Sequence, residues 1–417
     1  MRNDVREELW CSRSTRLKGK HVLFTITGSV SIYKVPDMIR ELIREGAEVQ
    51  VMLSPEAERL ITPSLFEWAT GKPVHTEITG NVEHVLLVGD HSEKVDLVVC
   101  APVSANTLGK LANGIADSNV SLTLMTAAGN RVPILMVPGM HEPMFRNPAV
   151  QRNIQTLKSF PEVVVLDPRV EEGKAKLPTT QNVVHWALRL LTPQSLAGKH
   201  VLVTGGPTRE YVDQVRFLSN PSSGKMGWSL AQEAWYRGAE VTFVVGPNSL
   251  PEMTGVAVRP VTSAAEMLDA VEDNLRSHNP SFVVLSSAVA DYRPTTHQSE
   301  KIRSGNANLS IPLEPTAKII NRVQELRGQL GLSDLHVVGF KAEYNKSLDE
   351  LVTICGRYLA DGRADAMVAN QVKGEEIGFA VSTSEVFLIL PSRSPLTISG
   401  SKQLIALQLW DQLVPPP

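Results

Sequence analysis

The chain has 417 residues, of which 42% are hydrophobic and 20% are charged, and its formal net charge is −3. This composition is that of a soluble globular protein, and the length suits two ordinary domains. The slightly acidic balance argues against a broad nucleic-acid surface, and no segment is long and apolar enough to span a membrane. Its cysteines, Cys11, Cys100 and Cys355, form no CxxC pair or disulfide framework, which predicts a cytoplasmic protein.

The first predicted strand precedes a turn made of Thr27, Gly28 and Ser29, and residues 32–45 have the apolar periodicity of an amphipathic helix. Gly28 would let the backbone come close to a ligand, and Ser29 would place a hydroxyl at the start of the helix. These features predict a small anion site, although an ordinary turn followed by a helix cap would have the same sequence.

Two more strands predicted in the first half end in polar loops. One is followed by Ser104, Asn106 and Thr107, whose neighbours are small, so this loop could contact a flat ligand. The other, residues 134–137, is followed by a proline-rich loop that carries His141. Because HEPMF is not HExxH, this loop does not have the pattern of a zinc hydrolase. Both loops are expected at the carboxyl edge of a parallel sheet.

The chain repeats parts of its own sequence. LKGKHVLFTITGS at residues 17–29 matches LAGKHVLVTGGPT at 196–208, and REGAEVQVMLSP and YRGAEVTFVVGP follow in the respective halves. With a third, weaker pair, three successive strands recur in the same order, and the periodicity breaks at 190–197. We therefore expect an α/β fold of two Rossmann-like, doubly wound domains with mostly parallel sheets, residues 1–192 and 193–417.

The most distinctive stretch follows the first strand of the second half. It starts at Gly205 and Gly206, and a helical pattern begins near Met226. It lacks the GxGxxG of a dinucleotide site, and its lysine lacks the following Ser or Thr of a P-loop. A strand, a glycine-containing loop and a helix N-terminus nevertheless favour an anion site over a turn of solvated polar residues. The candidate ligands are Arg209, Arg216, Asn220, Ser222, Ser223, Gly224 and Lys225.

Several motifs together are similar to known families. In the first half, TGSVSIYK, the Glu-His pair ending at His84, APVSANTLGKLANGIAD and PGMHEPMF resemble the flavin-dependent cysteine decarboxylases. In the second half, GGPTREYVDQVRFLSNPSSGKMG, SSAVADYRP, EKIRS, LEPTAKII, VGFKAEY and VAN resemble the phosphopantothenate–cysteine ligases. The resemblance covers nearly the whole chain after about residue 17 and indicates the bifunctional family of coenzyme A biosynthesis, in its archaeal-type form.

For the first half, the resemblance implies an FMN-dependent phosphopantothenoylcysteine decarboxylase that forms 4'-phosphopantetheine. In that reaction the substrate thiol is oxidised to a thioaldehyde with hydride passing to FMN, CO₂ leaves, and the enethiol is then reduced. A lone histidine is more often structural, but the family's essential histidine falls on His84, and His141 stands where the family binds the substrate carboxylate. The implied FMN-binding residues are Gly28, Ser29, Ser54, Ser104, Asn106 and Thr107.

Two features of the first half depart from the bacterial pattern. His141 and Phe145 replace an Asn and a Trp, as in archaeal-type members of the family. The bacterial flap carries a cysteine that serves the last reduction, whereas PRVEEGKAKLP at residues 168–178 has none. The charged residues of this segment form either an ion-rich flap over a phosphorylated substrate or a solvated charge run. They are Glu171, Glu172, Lys174 and Lys176.

For the second half, the resemblance implies CTP-dependent ligation of 4'-phosphopantothenate with L-cysteine through an acyl-cytidylate. Asn220 matches the residue that handles the acyl-nucleotide, Lys301 matches the lysine that forms it, and Asp291 is the expected Mg²⁺ ligand. Thr316 and Ala317 replace an Asn-Pro pair, which leaves the choice between CTP and ATP open. The implied nucleotide-binding residues are Ser222, Ser223, Gly224, Lys225, Ala288, Asp291, Phe340 and Lys341.

The resemblance also implies a homo-oligomer built from trimers, which together with ligase dimers would form a dodecamer, and no nucleic-acid or membrane partner. Three alternatives stay open from the sequence. The first is a tandem nicotinamide oxidoreductase, which the missing GxGxxG and ribose-binding acids disfavour. The others are a flavin-binding regulatory protein and a ligase whose first domain is not catalytic.

Overall fold

The computed structural model describes residues 8–171, 174–303, 309–372 and 383–414. The chain forms two compact units, Met1–Thr192 and Pro193–Pro417, which are taken in turn below. Within the described residues, no helix has the length and apolar character needed to cross a bilayer.

The first unit contains a six-stranded parallel sheet in the order β3-β2-β1-β4-β5-β6. Its central strands are buried along their whole length, because helices cover both faces of the sheet. A separate two-stranded hairpin, β7-β8, follows it. The strands are β1 (His21–Ile26), β2 (Glu48–Leu53), β3 (Val74–His75), β4 (Leu97–Val103), β5 (Ile134–Pro138), β6 (Val163–Val165), β7 (Arg169–Glu171) and β8 (Lys174–Lys176).

The helix predicted over residues 32–45 is shorter than expected. A 3₁₀ turn, Val30–Lys34, comes first, and the α-helix α1 covers Val35–Arg44. Pro36 lies at the start of α1, where its missing N–H has no cost and its fixed φ suits a first helical turn. The other helices of the unit are α2 (Pro55–Glu58), α3 (Pro63–Thr70), α4 (Glu83–Val88), α5 (Ala105–Ala112), α6 (Asn119–Gly129), α7 (Glu142–Phe145), α8 (Pro148–Lys158) and α9 (Thr180–Leu191).

The second unit contains an eight-stranded sheet in the order β13-β12-β9-β14-β17-β18-β19-β20, with two hairpins, β10-β11 and β15-β16, outside it. The strands are β9 (His200–Gly205), β10 (Arg209–Tyr211), β11 (Phe217–Ser219), β12 (Glu240–Val245), β13 (Ala257–Pro260), β14 (Phe282–Leu285), β15 (Tyr292–Pro294), β16 (Leu313–Pro315), β17 (His336–Tyr344), β18 (Ala366–Val372), β19 (Thr383–Ile389) and β20 (Leu396–Ser401). The helices are α10 (Lys225–Tyr236), α11 (Ala264–His278), α12 (Ile319–Gln329), α13 (Leu348–Ala360) and α14 (Lys402–Leu413).

The predicted fold class is confirmed by these two sheets. The strands of the internal repeat, β1, β2 and β4 in one unit and β9, β12 and β14 in the other, take the same positions: the first lies between the second and the third. All these pairings are parallel. The sequence did not predict that β19 and β20 add an antiparallel edge to the second sheet, an arrangement that is common on large, otherwise parallel sheets.

Candidate functional site

In the first unit, the loops after β1 and β4 meet at the point where the strand order reverses, which is where doubly wound folds bind ligands. Buried Thr27 joins these loops. Its hydroxyl donates to the Pro102 carbonyl at 2.8 Å and accepts the Ser104 N–H at 2.8 Å. The sequence placed Thr27 in the turn after the first strand but gave its side chain no role. Its hydroxyl fixes the distance between the two loops that carry predicted FMN-binding residues.

The three serines predicted to bind FMN all cap the segment that follows them. The hydroxyls of Ser29, Ser54 and Ser104 accept backbone N–H groups at 3.4, 3.2 and 3.3 Å, respectively. Asn106 is exposed in the first turn of α5, whereas Thr107 is buried and its hydroxyl lies 3.2 Å from that of Ser104. The caps point the N–H groups of helix starts toward this edge of the sheet.

Two glycines let the loops at this edge pack closely against one another. A Cβ atom on Gly139, after β5, would lie 2.6 Å from Pro102 Cβ and 3.2 Å from Ser29 Oγ. A Cβ atom on Gly28 would lie 2.6 Å from Glu56 Cβ. Because real Cβ atoms do not approach so closely, only glycine allows the backbone to pass here. The loops after β1, β4 and β5 therefore form a cradle at the reversal point.

His84 lies in the first turn of α4, which starts in an unusual way. Val82, the residue before this helix, has φ +50°, a conformation that β-branched residues rarely adopt. The backbone N–H of Thr79 donates to Glu83 at 2.7 Å and holds this helix start in place. The Nδ1 atom of His84 is buried and has no hydrogen-bond partner within the described part of the chain. A buried nitrogen of this kind is a strong candidate for a ligand contact.

His141 occupies the N-cap position of α7, is exposed, and makes no capping hydrogen bond through its side chain. Phe145, at the end of the same short helix, packs against the core of the first unit. Among the hydrogen bonds of the described residues, none joins His141 to His84. The structure therefore places His84 in the first turn of α4 and His141 before α7, and does not join their side chains by a hydrogen bond.

The charged segment predicted as a flap forms the hairpin β7-β8. Glu171 pairs with Lys176 at 2.8 Å and with Arg169 at 2.9 Å, and these cations, with Lys34, hold the pKa of Glu171 below its usual value. Leu177, which follows the hairpin, is buried, and its Cδ1 would be 3.4 Å from a Cβ on Gly139. Glu172 and the side chain of Lys174 lie outside the described residues.

In the second unit, the strand order reverses between β9 and β14, and α10 starts directly above this point. A Cβ on Gly227 would be 2.8 Å from Ser286 Oγ and 2.9 Å from the Thr204 carbonyl oxygen. Ser286 donates its hydroxyl to that carbonyl at 2.5 Å, so the ends of β9 and β14 and the start of α10 are held close together. Gly224, at φ +74°, caps α10 with its backbone alone.

A cavity of about 510 Å³ lies at this reversal point. Its walls come from the loop before α10, the ends of β14 and β17, the start of α12 and the start of α14. The residues that the sequence predicted and that line this cavity are Asn220, Ser222, Ser223, Gly224, Lys225, Ala288, Asp291, Phe340 and Lys341.

The amide of Asn220 joins two sides of the cavity. Its Nδ2 donates to the carbonyls of Ala288 and Val289 at 3.2 and 3.1 Å. These two hydrogen bonds use both amide protons, so in this arrangement the donor predicted for an oxyanion is already engaged. Asn220 thus holds the Ala288 loop against the helix start.

Charged side chains on the opposite wall are paired. Asp291, the predicted Mg²⁺ ligand, forms an ion pair with Lys318, and Lys341 lies 3.1 Å from Glu343. Burial is the largest single influence and would lower the pKa of Lys341, but the hydrogen bond with Glu343 and the nearby charges of Glu343, Tyr358 and Asp291 together raise it above its usual value. Thr316, at one of the two substituted positions, donates its hydroxyl to the Ala290 carbonyl at 2.6 Å.

Three predicted residues do not line this cavity. Lys301 lines a separate, smaller depression beside the hairpin β15-β16. Arg209 lies with its guanidinium 4.5 Å from the Phe217 ring centroid, and Arg216 pairs with buried Asp213 at 3.0 Å. Both arginines thus contact residues of the β10-β11 segment itself.

The cavity also contains residues that sequence reasoning missed. Asn370, on β18, has a buried Oδ1 with no partner among the described residues, and Lys402 starts the last helix. Asn370 ends the VAN motif, to which the sequence assigned no individual role, whereas Lys402 lies in no motif. Both reach the cavity through elements that are distant in sequence. A lysine directly after the helix-capping Ser401 was the one available signal, since cations are unfavourable at helix starts. No group of three or more His, Cys, Asp or Glu side chains within the described residues could hold a metal ion.

Comparison with known proteins shows which protein families the two units match. Residues 11–192 match the Flavoprotein family, and residues 196–415 match the family described as DNA/pantothenate metabolism flavoprotein, C-terminal domain. A solved structure, the C-terminal domain of a coenzyme A biosynthesis bifunctional protein CoaBC, aligns with a TM-score of 0.43 at 31% identity. It covers 53% of this chain and 96% of its own.

Full-length relatives match both units together. The coenzyme A biosynthesis bifunctional protein CoaBC of Thermococcus kodakarensis is 41% identical over 405 residues, which are 97% of each chain. The protein of the same name from Bacillus subtilis is 33% identical over 92% of this chain and 95% of its own. These matches do not favour a ligase with a non-catalytic first domain. The chain belongs to the family of bifunctional coenzyme A biosynthesis proteins.

Proposed function

We propose that the chain catalyses two consecutive reactions, one in each unit. The second unit joins 4'-phosphopantothenate to L-cysteine at the expense of CTP, and the first decarboxylates the product, phosphopantothenoylcysteine, to 4'-phosphopantetheine with FMN as cofactor. The observation that supports this most strongly is the convergence of the predicted ligase residues on one cavity of about 510 Å³, a volume typical of nucleotide-sized ligands. Both reactions are expected in the cytoplasm.

In the ligation, the pantothenate carboxylate attacks the α-phosphate of CTP, pyrophosphate leaves, and the cysteine amine then displaces CMP from the acyl-cytidylate. The helix α10 begins at Lys225, directly after the loop of Ser222, Ser223 and Gly224, and its first turn supplies N–H groups for phosphate oxygens. Lys225, which lines the cavity beside them, adds a positive charge. Asn220 fixes the Ala288 loop through its two hydrogen bonds and so holds this side of the cavity in position for the reacting carboxyl group.

Two residues of the ligase unit are not yet arranged for this reaction: Asp291 is paired with a lysine, and Lys301 lies outside the cavity. Asp291 is a single carboxylate, which suits Mg²⁺ bound mainly by nucleotide phosphates and water, but it has to exchange Lys318 for the cation. Lys301 stands outside the cavity, so its role in forming the acyl-cytidylate requires movement of its segment or its supply by a second copy of the chain. The buried Oδ1 of Asn370 is an acceptor suited to an amino group of the base or of cysteine.

The first unit has the features that an FMN site needs. Gly28 and Gly139 let the loops after β1, β4 and β5 pack closely at one edge of the sheet, and the capped helix starts at Ser29, Ser54 and Ser104 offer N–H groups for a phosphate. When bound, FMN supplies hydride acceptor and donor chemistry at this edge. His84 holds or removes a proton through its imidazole, and its partnerless Nδ1 is available to a ligand. His141 is exposed and free to donate to the substrate carboxylate.

The first unit is also expected to assemble with copies of itself. Helix α4, which carries His84, exposes Val85 and Leu86, and Val82 before it is 45% exposed. Met144 after His141 and Ile115 are exposed as well. Apolar side chains clustered around candidate site residues indicate an interface, and a second copy would shield the site from water. This supports the trimer-based assembly, and with ligase dimers the dodecamer, that the family resemblance implies.

The experiment that tests the proposal is product analysis by mass spectrometry. Purified protein is incubated with 4'-phosphopantothenate, L-cysteine, CTP and Mg²⁺, with ATP replacing CTP in a parallel reaction. Formation of 4'-phosphopantetheine with release of CO₂ and CMP is the expected result. A reaction that ends at phosphopantothenoylcysteine would restrict the protein to ligation, and absence of pyrophosphate release with either nucleotide would refute the proposed ligation.

A further inference from the structure

The loop after β14 begins with two serines whose hydroxyls make different hydrogen bonds. Ser286 and Ser287 both line the ligase cavity, and both contact Thr204, a fully buried residue of β9. Ser286 donates its hydroxyl to the Thr204 carbonyl at 2.5 Å. Ser287 instead accepts, because the Thr204 hydroxyl donates to its Oγ at 2.9 Å. The proton of Ser286 is therefore used within the protein, whereas that of Ser287 is not used by Thr204.

The hydroxyl of Thr204 orients the hydroxyl of Ser287. A hydroxyl has one proton to donate and can accept hydrogen bonds through its oxygen. The Thr204 oxygen accepts the backbone N–H of Ser287 at 3.4 Å, and its proton is directed to Ser287 Oγ. Among the hydrogen bonds of the described residues, none has the Ser287 hydroxyl as its donor. The Ser287 proton is thus available to a ligand in the cavity.

Neighbouring donors on this wall of the cavity are already engaged. The backbone N–H of Ala288 donates to the Gly206 carbonyl at 2.9 Å. The amide of Asn220 gives both of its protons to carbonyls of the same loop, at 3.2 and 3.1 Å. These hydrogen bonds hold the loop in place, and a ligand could use their donors only by breaking them. The Ser287 hydroxyl is the donor of this group that a ligand can reach without such a loss.

The surroundings of Ser287 suit an anionic acceptor. Lys225 lines the same cavity, and the helix that it begins comes so close to the end of β14 that a Cβ on Gly227 would be 2.8 Å from Ser286 Oγ. Both CTP and 4'-phosphopantothenate, the substrates of the proposed ligation, are anions. A hydroxyl that donates to an anionic oxygen forms a shorter and stronger hydrogen bond than one between neutral groups. An anionic oxygen is therefore the acceptor that Ser287 fits best.

We propose that the Ser287 hydroxyl binds an anionic oxygen of a ligase substrate and that Thr204 is the positioning residue that orients this hydroxyl. The inference rests on the proposed ligation and adds to it a specific contact on the floor of the cavity. The anionic oxygen can come from two sources, the triphosphate of CTP or the charged groups of phosphopantothenate. In both cases Ser287 donates its proton and Thr204 stays bound to Ser287 Oγ.

The first test compares Ser287→Ala with the unchanged protein. The substitution removes one oxygen atom and leaves the backbone as it is. Kd values are measured for two anionic ligands, CTP and 4'-phosphopantothenate, and for their uncharged counterparts, cytidine and pantothenol, by calorimetry or, where binding is weak, by ligand-detected NMR. Ser287→Ala is expected to weaken binding of one anionic ligand about 10- to 100-fold, as loss of a charge-assisted hydrogen bond requires. Its uncharged counterpart should change by less than about twofold.

The second test asks whether Thr204 acts through Ser287. Thr204→Val keeps the shape of the side chain without its hydroxyl and should weaken the same ligand about 3- to 10-fold, as loss of a neutral hydrogen bond requires. When it is added to Ser287→Ala it should cause no further loss, because the group that it orients is already absent. Ser333→Ala, an exposed serine of the same unit, is the matched control. The Tm of each variant without ligand shows that it is folded.

The inference is overturned if Ser287→Ala binds both anionic ligands within about twofold of the unchanged protein. It is also overturned if the uncharged counterpart loses as much affinity as the anionic ligand, because the effect would then be structural. Independent, additive losses from the two substitutions would remove Thr204 from its positioning role. The ligand that loses affinity identifies the source of the anionic oxygen. If the unchanged protein released no pyrophosphate, the proposed ligation would fail, which is a different result from an unaffected Ser287→Ala variant.

Discussion

The two units have the same central strand order but differ in what surrounds the carboxyl edges of their sheets. In the first unit, Ser29, Ser54 and Ser104 cap helices around a cradle, and exposed apolar side chains border it. In the second, a cavity of about 510 Å³ is lined by lysines from several elements. The shared fold determines where the loops meet, and the loops determine which chemistry is possible there.

The difference in charge agrees with the difference in ligand. A cavity lined by Lys225, Lys318, Lys341 and Lys402 suits a triphosphate and a second phosphorylated substrate. The first site offers hydroxyls, helix N–H groups and histidines, which suit the single phosphate and uncharged ring system of FMN. Because the two sites differ in this way, we expect a substitution in one unit to leave the reaction of the other unit unchanged.

The largest effect within the ligase unit is expected from Asn220→Asp. This change places a carboxylate oxygen against the carbonyls of Ala288 and Val289, where Nδ2 now donates, and so repels the loop it should hold. Pyrophosphate release should fall by about 10²- to 10³-fold, as for loss of a preorganised donor. Decarboxylation of added phosphopantothenoylcysteine should be unaffected.

Both rates are measured on the same preparation, with Asn279→Asp, an exposed position after α11, as the matched control. Equal loss of both reactions in folded Asn220→Asp protein would contradict the separation of the sites.

A smaller effect is expected from Asp213→Asn, which tests how Lys301 is positioned. Asp213 accepts the backbone N–H of Ile302 at 3.0 Å, and Arg216 donates to the Ile302 carbonyl at 3.0 Å, so these two residues clamp the neighbour of Lys301. An amide nitrogen facing the Ile302 N–H would release this clamp. Pyrophosphate release should fall by up to about 10²-fold, as for a displaced catalytic group.

Asp334→Asn, an exposed change in the same unit, is the control for this variant, and a rate unchanged by Asp213→Asn would show that the clamp has no part in ligation. The clamp should also depend on pH. Burial alone would raise the pKa of Asp213, but backbone N–H groups of Arg216, Val215 and Ile302 lower it to about 2. Its stabilising contribution is therefore present above the ordinary pKa near 3.9 and is lost as the pH falls through about 2.

The smallest effect is expected from Gly139→Ala in the first unit. The added methyl group would lie 2.6 Å from Pro102 Cβ and 3.2 Å from Ser29 Oγ, so the loops that carry Pro102 and Ser29 would have to move. We expect FMN to bind about tenfold more weakly, as measured by flavin fluorescence on titration, and ligation to stay unchanged.

Gly129→Ala is the matched control, because a Cβ at that helical position has nothing within 4 Å. Equal FMN affinity of Gly139→Ala and the unchanged protein would place the flavin elsewhere.

The sequence predicted the parts of the fold that repeat. Matching strand and turn segments around Gly28 and Gly205 were enough to predict two sheets with the same central order, because strand periodicity and glycine turns are local properties. The loop from Asn220 to Lys225 was likewise predicted as one wall of a site. The sequence did not predict the antiparallel edge β19-β20, because the pairing of an edge strand depends on the whole sheet.

The candidate site was less predictable wherever it depends on contacts between distant segments. Arg209 and Arg216 were expected to bind phosphate, but hairpin pairing directs them to Phe217 and Asp213. Asn370 belongs to the VAN motif but had no role assigned to it, Lys402 lies outside any motif, and both reach the cavity only through the fold of the second unit. For His84, the deciding features are the left-handed backbone of Val82 and a buried nitrogen, neither of which is visible in a sequence.

The central claim, that one chain has two separate sites for consecutive reactions, is tested most directly by His84→Asn. The variant is incubated with phosphopantothenate, cysteine, CTP and Mg²⁺, and pyrophosphate, CO₂ and the thiol products are measured together. We predict that pyrophosphate is released at the unchanged rate, that CO₂ release is lost, and that phosphopantothenoylcysteine accumulates. Continued formation of phosphopantetheine, or loss of pyrophosphate release in folded protein, would contradict the account.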